Sequence, residues 1–333
     1  METVYFLGID ISKKTLNAAL TCDGQNMHEL QVTNTAQEIK ALFVELKAKV
    51  SLSHLIVCIE HTGIYGLPLL DYLVKHNIRV CVEPALQIKQ SQGMTRGKND
   101  EIDARRIAQY AFKNRHELVY WKPQRLILQK LKALLILRER LIKTRNQLEV
   151  PITEAKSYIL EEVRKKVAKC CKSSIVAIKK DIKSVDDDIK KLIKEDQQIV
   201  QQMKWSTSVP GVGNITALNV ILATDEFKRI STVKKFACYS GIAPFEHRSG
   251  SSIRGKTRVS KMANMRIKTL LTLGSMSAVQ SNQELKAYFE RKMSQGKNYW
   301  SVINAVRNKL ISRIFACVQQ QKMYQKNYAH ALA

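Results

Sequence analysis

The first third of the chain alternates between short apolar runs and segments in which apolar residues recur with helical spacing. Apolar runs at residues 4–9, 16–20 and 55–59 predict buried β-strands, and shorter strands are expected at 29–33 and 79–82. Strands that alternate with helices are typical of an α/β domain, in which helices cover the sheet.

Two helices are predicted between these strands. Thr35 and Glu38 form the T-x-x-E pattern of a capping box, in which the threonine side chain satisfies a backbone N–H of the first turn. Residues 64–76 also have helical spacing. The apolar face of the first helix consists of Ile39, Leu42, Phe43 and Leu46. Strands and helices together predict an α/β domain with a mixed sheet over residues 1–120.

Residues 121–203 follow a different pattern, in which apolar residues recur at alternating intervals of four and three. The first series consists of Ile127, Leu131, Leu134, Leu141 and Leu148, with Arg138 and Arg145 at the same intervals, and the second consists of Ile178, Ile182, Val185, Ile189, Leu192 and Ile199. Such heptads predict a helical hairpin or coiled coil, broken after the first helix at Pro151. We interpret the segment as a coiled-coil connector that could also dimerise; a plain spacer is the alternative.

The last segment, residues 204–333, is predicted to be a mainly α-helical domain that begins with a glycine-rich turn. The sequence P-G-V-G at residues 210–213 precedes a helical segment, as in the hairpin of helix-hairpin-helix modules. Gly211 and Gly213 would let backbone N–H groups approach a phosphate at the helix N-terminus. A plain connector is the alternative.

A loop rich in serine and glycine follows at residues 239–252, and cations surround it. Cations on both sides of a serine would hold phosphate oxygens and offset the charge that develops when the hydroxyl attacks a phosphodiester. The loop predicts either a nucleophilic serine or a flexible phosphate-contact loop. The cations are Arg248, Arg254, Lys256, Arg258 and Lys261.

The charge of the chain favours a polyanionic partner. Its 333 residues include 55 Lys and Arg against 29 Asp and Glu, a formal net charge of +26. A basic protein at a membrane surface has a similar excess, but here the cations are spread over the whole chain. Apolar residues make up 45% of the composition, which is typical of a folded globular protein. The balance therefore favours nucleic acid.

Cysteines and apolar stretches indicate the compartment. The seven cysteines include no C-x-x-C pair, so neither a disulfide framework nor a structural zinc site is expected. Gly8 and Asp10 interrupt the apolar start, which argues against a signal peptide. The longest apolar stretch, residues 215–223, is shorter than the roughly 20 residues that span a bilayer. We expect a cytoplasmic protein with reduced thiols and no membrane partner.

Four carboxylates occur where strands end and a helix begins. Asp10 ends the first apolar run, Glu60 directly follows the run at 55–59, and Asp100 and Asp103 lie on one face of a helix. The ordinary alternatives are a turn residue and helix capping. In one pocket the four would repel one another unless divalent cations bound there, and Mg²⁺ prefers such oxygen ligands. Two ions could stabilise both the attacking and the leaving oxygen of a phosphoryl transfer.

Seven short motifs, spread over nearly the whole chain, resemble those of the DEDD insertion-sequence transposases. This family includes the Piv/MooV-type DNA invertases and the bridge-RNA-guided recombinases. The motifs are G-I-D-I-S-K at residues 8–13, E-H-T-G at 60–63, K-N-D-E-I-D-A at 98–104, V-P-G-V-G at 209–213, G-I-A-P at 241–244, S-G at 249–250 and S-K at 260–261. Each motif alone is common, whereas seven in the family's order are specific.

The resemblance implies a RuvC-like N-terminal domain with an RNase H fold, a coiled-coil connector and a C-terminal transposase domain. It gives Asp10, Glu60, Asp100 and Asp103 the role of binding Mg²⁺ or Mn²⁺. It gives Ser249 the role of attacking DNA to form a covalent serine–DNA intermediate. In the family these two groups come from different subunits, which implies an active homodimer or homotetramer.

The resemblance also implies nucleic-acid partners: donor and target DNA and, in the guided members, a structured bridge RNA from the flank of the element. Base pairing by this RNA would then select the donor and target DNA sequences. The protein itself is expected in the cytoplasm of a prokaryote, associated with the nucleoid. The residues that we expect to contact nucleic acid are Lys98, Arg105, Gly211, Gly213, Arg248, Arg254, Lys256, Arg258 and Lys261.

The chain departs from the family pattern in three places. Asn99 stands where threonine is usual, which leaves the neighbouring aspartate in place, and residues 260–264 lack the usual glycine and extra cation. Ser249, Ser251 and Ser252 offer three hydroxyls, of which Ser249 is favoured because it directly precedes a glycine. Other functions stay open: a Piv-like site-specific invertase, a non-catalytic nucleic-acid-binding scaffold and, less favoured, a Holliday-junction resolvase.

Overall fold

The structure, a computed structural model, describes residues 3–91, 100–154, 158–249, 253–260 and 262–326. Within these ranges the side chains of residues 26, 27, 247–249, 253, 254 and 256 lie outside the description. The chain divides into two compact units, Met1–Pro123 and Gln124–Ala333. Most of the predicted connector, residues 121–203, belongs to the second unit. That the connector forms a separate domain stays a prediction.

The first unit is built on a mixed five-stranded sheet. Its strands are β1 (Tyr5–Ile11), β2 (Thr15–Thr21), β3 (Asn26–Thr33), β4 (Leu55–Glu60) and β5 (Arg79–Glu83). They lie in the order β3-β2-β1-β4-β5, with β1 to β3 antiparallel and β4 and β5 parallel to β1. Tight turns join antiparallel strands, whereas parallel strands need longer crossovers, which the helices provide. The apolar runs correctly predicted this mixed sheet.

One face of the sheet packs against α1 (Ala36–Lys49) and α2 (Leu67–Lys75). Alternate strand residues point toward these helices, and Leu7 and Ile9 of β1 are fully buried among them. As predicted, Thr35 caps α1 by accepting a hydrogen bond from the backbone N of Glu38 at 3.4 Å. This face is a closed apolar core, so the polar residues of the central strands lie on the other face.

The other face is covered by α3 (Ala85–Gln90) and α4 (Asp100–Lys113). The residues between α4 and the sheet are small: a Cβ on Gly8 would overlap the backbone N of Ala108 and the carbonyl O of Ala104. Ala19, directly opposite Gly8 in β2, packs against the same two alanines. The backbone of α4 therefore lies directly on β1 and β2, which only a residue without a side chain at Gly8 permits.

The second unit begins with two long helices, α5 (Leu126–Glu154) and α6 (Glu161–Lys194), which pack against each other. Arg138, a member of the predicted heptad series, donates from Nε to Asp186 Oδ1 at 2.6 Å across this contact. Supercoiling and dimerisation stay predictions. Contrary to the expected break, Pro151 lies inside α5, close to its end at Glu154; there it removes one backbone hydrogen bond of the helix but does not end it.

The other helices of this unit pack around its last one, which fits a mainly α-helical domain. They are α7 (Gln197–Thr207), α8 (Asn214–Thr224), α9 (Val233–Tyr239), α10 (Met265–Ser281), α11 (Gln283–Ser294) and α12 (Tyr299–Gln319). Val306, Leu310 and Ile314 of α12 recur every fourth residue and are fully buried. The core of the second unit therefore surrounds α12.

A two-stranded antiparallel ribbon, β6 (Pro244–Ser249) and β7 (Ile253–Val259), interrupts these helices. The sequence pattern predicts only a loop before residue 253, although β-branched residues at Ile253, Thr257 and Val259 favour a strand. Most of the cations predicted to contact phosphate therefore lie on a ribbon.

No helix in the part of the chain that the structure describes is both long and apolar enough to cross a membrane. All seven cysteines are free thiols. Burial raises the pKa of Cys58 well above its ordinary value and that of Cys81 to about 12. Both are neutral thiols that pack beneath α4.

Candidate active site

The register of the sheet places Asp10 on the face that α4 covers. Asp10 follows Gly8 by two residues, so the two residues face the same side of β1. Its cross-strand partner is Asn17 of β2. On the other side, β1 and β4 run in parallel register up to the residues that precede Asp10 and Glu60. The two carboxylates therefore lie side by side where the strands end.

The first turn of α4 supplies two further carboxylates. Asp100 is its first residue and is exposed, and Asp103 lies one turn further on, half-buried. Because α4 rests directly on Gly8, its position on the sheet is fixed, and its first turn lies near Asp10. The structure thus brings all four predicted carboxylates to one end of the sheet.

The pKa of Asp10 shows how strongly these groups interact. Burial raises it, and the negative charges of Asp100, Asp103 and Glu60 raise it further, from 3.8 to about 6. A hydrogen bond from the backbone N–H of Ile11 acts in the opposite direction. Like charges disfavour ionisation when they lie close together in a partly desolvated site. Without a cation, the cluster is therefore electrostatically strained.

An arginine holds one of the four carboxylates. Arg106 Nη1 donates to Asp103 Oδ1 at 2.9 Å, within the same helix. Among the residues that the structure describes, no three Asp, Glu, His or Cys side chains lie close enough to share one metal ion. The carboxylates are neighbours, but they do not form a coordination shell. Binding of an ion by several of them requires side chains to move.

Asn17 is a buried polar residue in this site that the sequence analysis misses. It is 2% exposed, and neither Oδ1 nor Nδ2 has a hydrogen-bond partner among the described residues. Leaving such an amide unsatisfied costs about 1–3 kcal/mol. A hydrated divalent cation beside Asp10 would supply the missing donors and acceptors, and carboxylate oxygens are its preferred ligands. The residues present therefore fit a hard, hydrated cation.

A fifth carboxylate, Glu83, lies beside Glu60, since the two are partners in the register of β4 and β5. Burial raises the pKa of Glu83, while a hydrogen bond from Tyr110 of α4 opposes the rise. The Tyr110 hydroxyl also accepts a hydrogen bond from Gln87 Nε2 at 2.8 Å. Glu83 is thus held at the edge of the carboxylate cluster.

Each missed residue has a signal in the sequence. Asn17 is the only polar residue in the apolar run 16–20, and Glu83 follows an apolar run as Glu60 does. Arg106 lies three residues after a predicted ligand, on the same helix face. None of these signals shows which residues these side chains contact, because the contacts depend on the strand register and on the position of α4.

Two predicted nucleic-acid contacts are close to this cluster in sequence. Arg105 donates from Nη2 to Glu29 Oε2 at 2.7 Å and from Nε to the other oxygen, a two-pronged ion pair between α4 and β3. Arg105 therefore ties α4 to the sheet, and its contact with nucleic acid stays a prediction. Lys98 lies outside the described residues.

The two glycines of the P-G-V-G turn have different environments. Gly211 has φ +85°, and a Cβ there would lie 2.6 Å from Ala278 Cβ, so this glycine permits close packing on α10. Gly213 is the exposed N-cap of α8, with open space where a Cβ would lie. Gly213 is the better placed of the two to receive a phosphate, and the helix-hairpin-helix assignment stays a prediction.

Ser249 is the last residue of β6, and the ribbon also carries predicted cations. Arg248 is paired with Arg254 in the register, and Arg258 is exposed in β7. The side chains of Arg248, Ser249, Arg254 and Lys256 lie outside the description, as do Ser251, Ser252 and Lys261 altogether. The backbone thus places the serine and these arginines on one ribbon, and their roles stay predictions.

The strand order, with acidic residues at the ends of β1 and β4, is that of an RNase H-like domain. A family model described as "Transposase", of the DEDD IS110 type, matches residues 7–155. A second, described as "Transposase IS116/IS110/IS902 family", matches residues 205–290. These features define a transposase or site-specific recombinase, an enzyme class that cuts and rejoins DNA. Both matched segments of the chain are thus similar to transposases of the IS110 type.

Individual proteins are also similar to this chain. The "Pilin gene-inverting protein" of Moraxella bovis is 27% identical over 332 residues, which cover 96% of this chain and 98% of that protein. The "Transposase for insertion sequence element IS1111A" of Coxiella burnetii is 25% identical over 258 residues, 68% of each chain. RuvC of Thermus thermophilus, solved in complex with a Holliday junction substrate, overlaps 35% of this chain and 99% of its own at 14% identity, with a TM-score of 0.29.

The raised pKa of Asp10 predicts how stability depends on pH. Between the ordinary value of 3.8 and about 6, the folded chain binds more protons than the unfolded chain at this carboxyl. The free energy of unfolding therefore falls as pH rises through that window. Asp10→Asn removes this titration, so without divalent cations it should be more stable than wild type at neutral pH, by up to about 3 kcal/mol. The gap should close as the solution is acidified below the window.

Urea denaturation of both proteins across this pH range, with a chelator present, measures the difference. Asp71→Asn is the matched control, because Asp71 is 64% exposed and pairs with Lys75 on the surface of α2. That variant should show no comparable pH-dependent gap. Lower stability of Asp10→Asn at neutral pH in the chelator would contradict the account.

Proposed function

We propose that the chain is a DNA transposase that cuts and rejoins DNA through a covalent serine–DNA intermediate. Asp10, Glu60, Asp100 and Asp103 bind Mg²⁺ (or Mn²⁺), and Ser249 is the nucleophile. The observation that carries the proposal is the partly buried Asp10 carboxyl, whose pKa is raised to about 6 by burial and by the other three carboxylates. Such a site is costly to keep unless a divalent cation offsets the charge.

The four carboxylates act as ligands, and Asn17 orients what they bind. Bound Mg²⁺ supplies positive charge that offsets the charge developing on phosphate oxygens during phosphoryl transfer. Asp103 would leave its ion pair with Arg106 to take part. The buried amide of Asn17, opposite Asp10, would hydrogen-bond to the waters that a bound cation carries.

Ser249 performs the covalent step. Its Oγ attacks the phosphorus of a phosphodiester and loses its proton, a serine–phosphate bond forms, and the bond to the leaving deoxyribose oxygen breaks as that oxygen takes up a proton. A hydroxyl of the recipient strand later reverses the step and releases the serine. Because the serine–DNA phosphodiester conserves the free energy of the DNA phosphodiester that was broken, rejoining needs no nucleotide cofactor. Cations of β6 and β7 hold the phosphate oxygens.

The active assembly is a homodimer or homotetramer on donor and target DNA. The resemblance to the family carries this part, since there the carboxylates and the serine come from different subunits. A structured bridge RNA from the flank of the element pairs with both DNAs and selects them. The formal net charge of +26 suits a protein that holds RNA and DNA together.

A Piv-like invertase acting on two fixed sites is the second candidate. The observation that favours it is the similarity to the pilin gene-inverting protein of Moraxella bovis over 96% of this chain. Both candidates use the same carboxylates and the same serine, and they differ in whether an RNA selects the DNA. A non-catalytic scaffold would not need four carboxylates in one strained cluster.

Replacement of the nucleophile tests the serine mechanism. Ser249→Ala should form no protein–DNA adduct that survives detergent and should exchange no strands, because the linkage needs its Oγ. The control Ser251→Ala, two residues away in the same segment, should form the adduct at close to the wild-type rate. Labelled donor DNA on a denaturing gel measures both. Strand exchange by Ser249→Ala, or its loss only in Ser251→Ala, would contradict the assignment.

RNA that copurifies with the protein separates the two candidates. A guided transposase expressed with its native flanking DNA should retain one discrete RNA encoded in the flank, and editing that RNA should redirect recombination. Sequencing of the retained RNA measures this, with protein expressed without the flank as the control. Only heterogeneous cellular RNA in both preparations would contradict the guided function and favour the invertase.

A further inference from the structure

The core of the second unit contains a buried cation. Arg307 of α12 is 7% exposed, although it stands in a helix whose neighbouring buried residues are apolar. Its only described hydrogen bond runs from Nη1 to Asn304 Oδ1 at 3.2 Å, a neutral acceptor one turn earlier in the helix. Its Nε is buried and has no acceptor.

A buried guanidinium normally has a carboxylate partner, because removing a charge from water is costly. Among the described residues, neither Arg307 nor its neighbour Lys268 of α10 forms an ion pair. Burial lowers the pKa of Lys268, and the charge of Arg307 lowers it further. Burial also lowers the pKa of Arg307. Two cations thus lie close together between α10 and α12, with no anionic partner among the residues that the structure describes.

The pair lies at the base of the β6–β7 ribbon. Asn304, the partner of Arg307, donates from Nδ2 to the carbonyl O of Ile242 at 2.9 Å, two residues before β6 begins. Gly241 has φ +64°, and a Cβ on it would lie 3.8 Å from Lys268 Cδ and 3.3 Å from the carbonyl O of Ser260, which directly follows β7. Lys268 therefore lies beside the turn before β6, to which Asn304 also links Arg307, and the end of β7 approaches the same turn.

We propose that Arg307 and Lys268 form an anion site that binds a phosphodiester group of nucleic acid at the base of the ribbon. A guanidinium with unused N–H groups and an ammonium beside it are the donors that bind phosphate oxygens. The anion supplies the charge that the protein leaves unpaired. Asn304 couples the occupied site to the turn that leads into β6.

This phosphate is not the one that Ser249 attacks. β6 has 6 residues, so its two ends lie roughly 17 Å apart at 3.3–3.4 Å per residue. The site therefore holds the strand some nucleotides away from the scissile bond, and Arg307 is a binding and positioning residue. The inference rests on the proposed function for the identity of its partner, a DNA strand or the guide RNA.

Inorganic phosphate is the first probe. The full-length protein, Arg307→Met and Lys268→Met are titrated with phosphate at constant ionic strength while Tm is followed. Phosphate should raise the Tm of wild type, because it binds the folded state, and this rise should be lost in both variants. Without phosphate, Arg307→Met should melt at or above the wild-type Tm, since it removes an unpaired buried charge. A lower Tm, or an unchanged response to phosphate, overturns the site.

Arg313→Met is the matched control on the same helix. Arg313 is paired with Glu284 Oε1 at 2.6 Å, so it already has its anion. This variant should melt below wild type and keep the full response to phosphate. Loss of the phosphate response in Arg313→Met as well would show that the response is a general charge effect, which also overturns the site.

Salt dependence identifies the source of the phosphate. The association constant for nucleic acid is measured as a function of salt concentration. For Arg307→Met, the slope of its logarithm against the logarithm of salt concentration should decrease in magnitude by about 1 with the nucleic acid whose phosphate binds at the site. A fall with duplex DNA assigns the site to DNA, and a fall with copurified RNA assigns it to RNA. Unchanged slopes for both overturn the proposal. None of these measurements needs strand exchange, so a failure here is distinguishable from a failure of the Ser249 mechanism.

Discussion

The contact between the backbone of α4 and Gly8 of β1 determines where the chemistry of the first unit can occur. A Cβ on Gly8 would overlap the backbone of α4. The small side chains of Ala19, Ala104 and Ala108 keep the distance between helix and sheet short in the rest of the interface. A helix that lies this close carries the acidic residues of its first turn to the end of β1. Burial at that end raises the pKa of Asp10, and the added carboxylates raise it further. Close packing thus produces an electrostatically strained site that a divalent cation would relieve.

The second unit contains the opposite arrangement, a pair of cations that has no carboxylate partner among the described residues. In the first unit three carboxylates surround Asp10, and in the second Arg307 lies beside Lys268. Metal ions and nucleic-acid phosphates are the ligands that relieve both. An enzyme that assembles on a polyanion can keep such charges unpaired in the free protein, since the complex pairs them.

Much of this arrangement could be predicted from the sequence. Apolar runs predicted the strands of the first unit, and a carboxylate directly after a run marked Asp10 and Glu60, each close to the end of its strand. Helical spacing placed Asp100 and Asp103 on one face. The contacts of Asn17, Glu83 and Arg307 could not be predicted, since each depends on strand register or on the crossing of helices distant in sequence. The ribbon of Pro244–Ser249 and Ile253–Val259 was not predicted, because the serines, glycines and cations of this segment favour a loop more strongly than the β-branched residues of its second strand favour a strand.

The most direct test of the account is the affinity of Gly8→Ala for Mn²⁺, measured calorimetrically beside Gly66→Ala. A Cβ on Gly66 would lie 3.5 Å from Ile11 Cδ1, an ordinary contact, so this variant controls for an added methyl group in the same unit. The account predicts that Gly8→Ala stays folded but is destabilised by about 1–3 kcal/mol. It should also bind Mn²⁺ at least about tenfold more weakly, as α4 is pushed off the sheet, while Gly66→Ala binds like wild type. Unchanged affinity of Gly8→Ala would contradict the claim that the packing of α4 assembles the carboxylates.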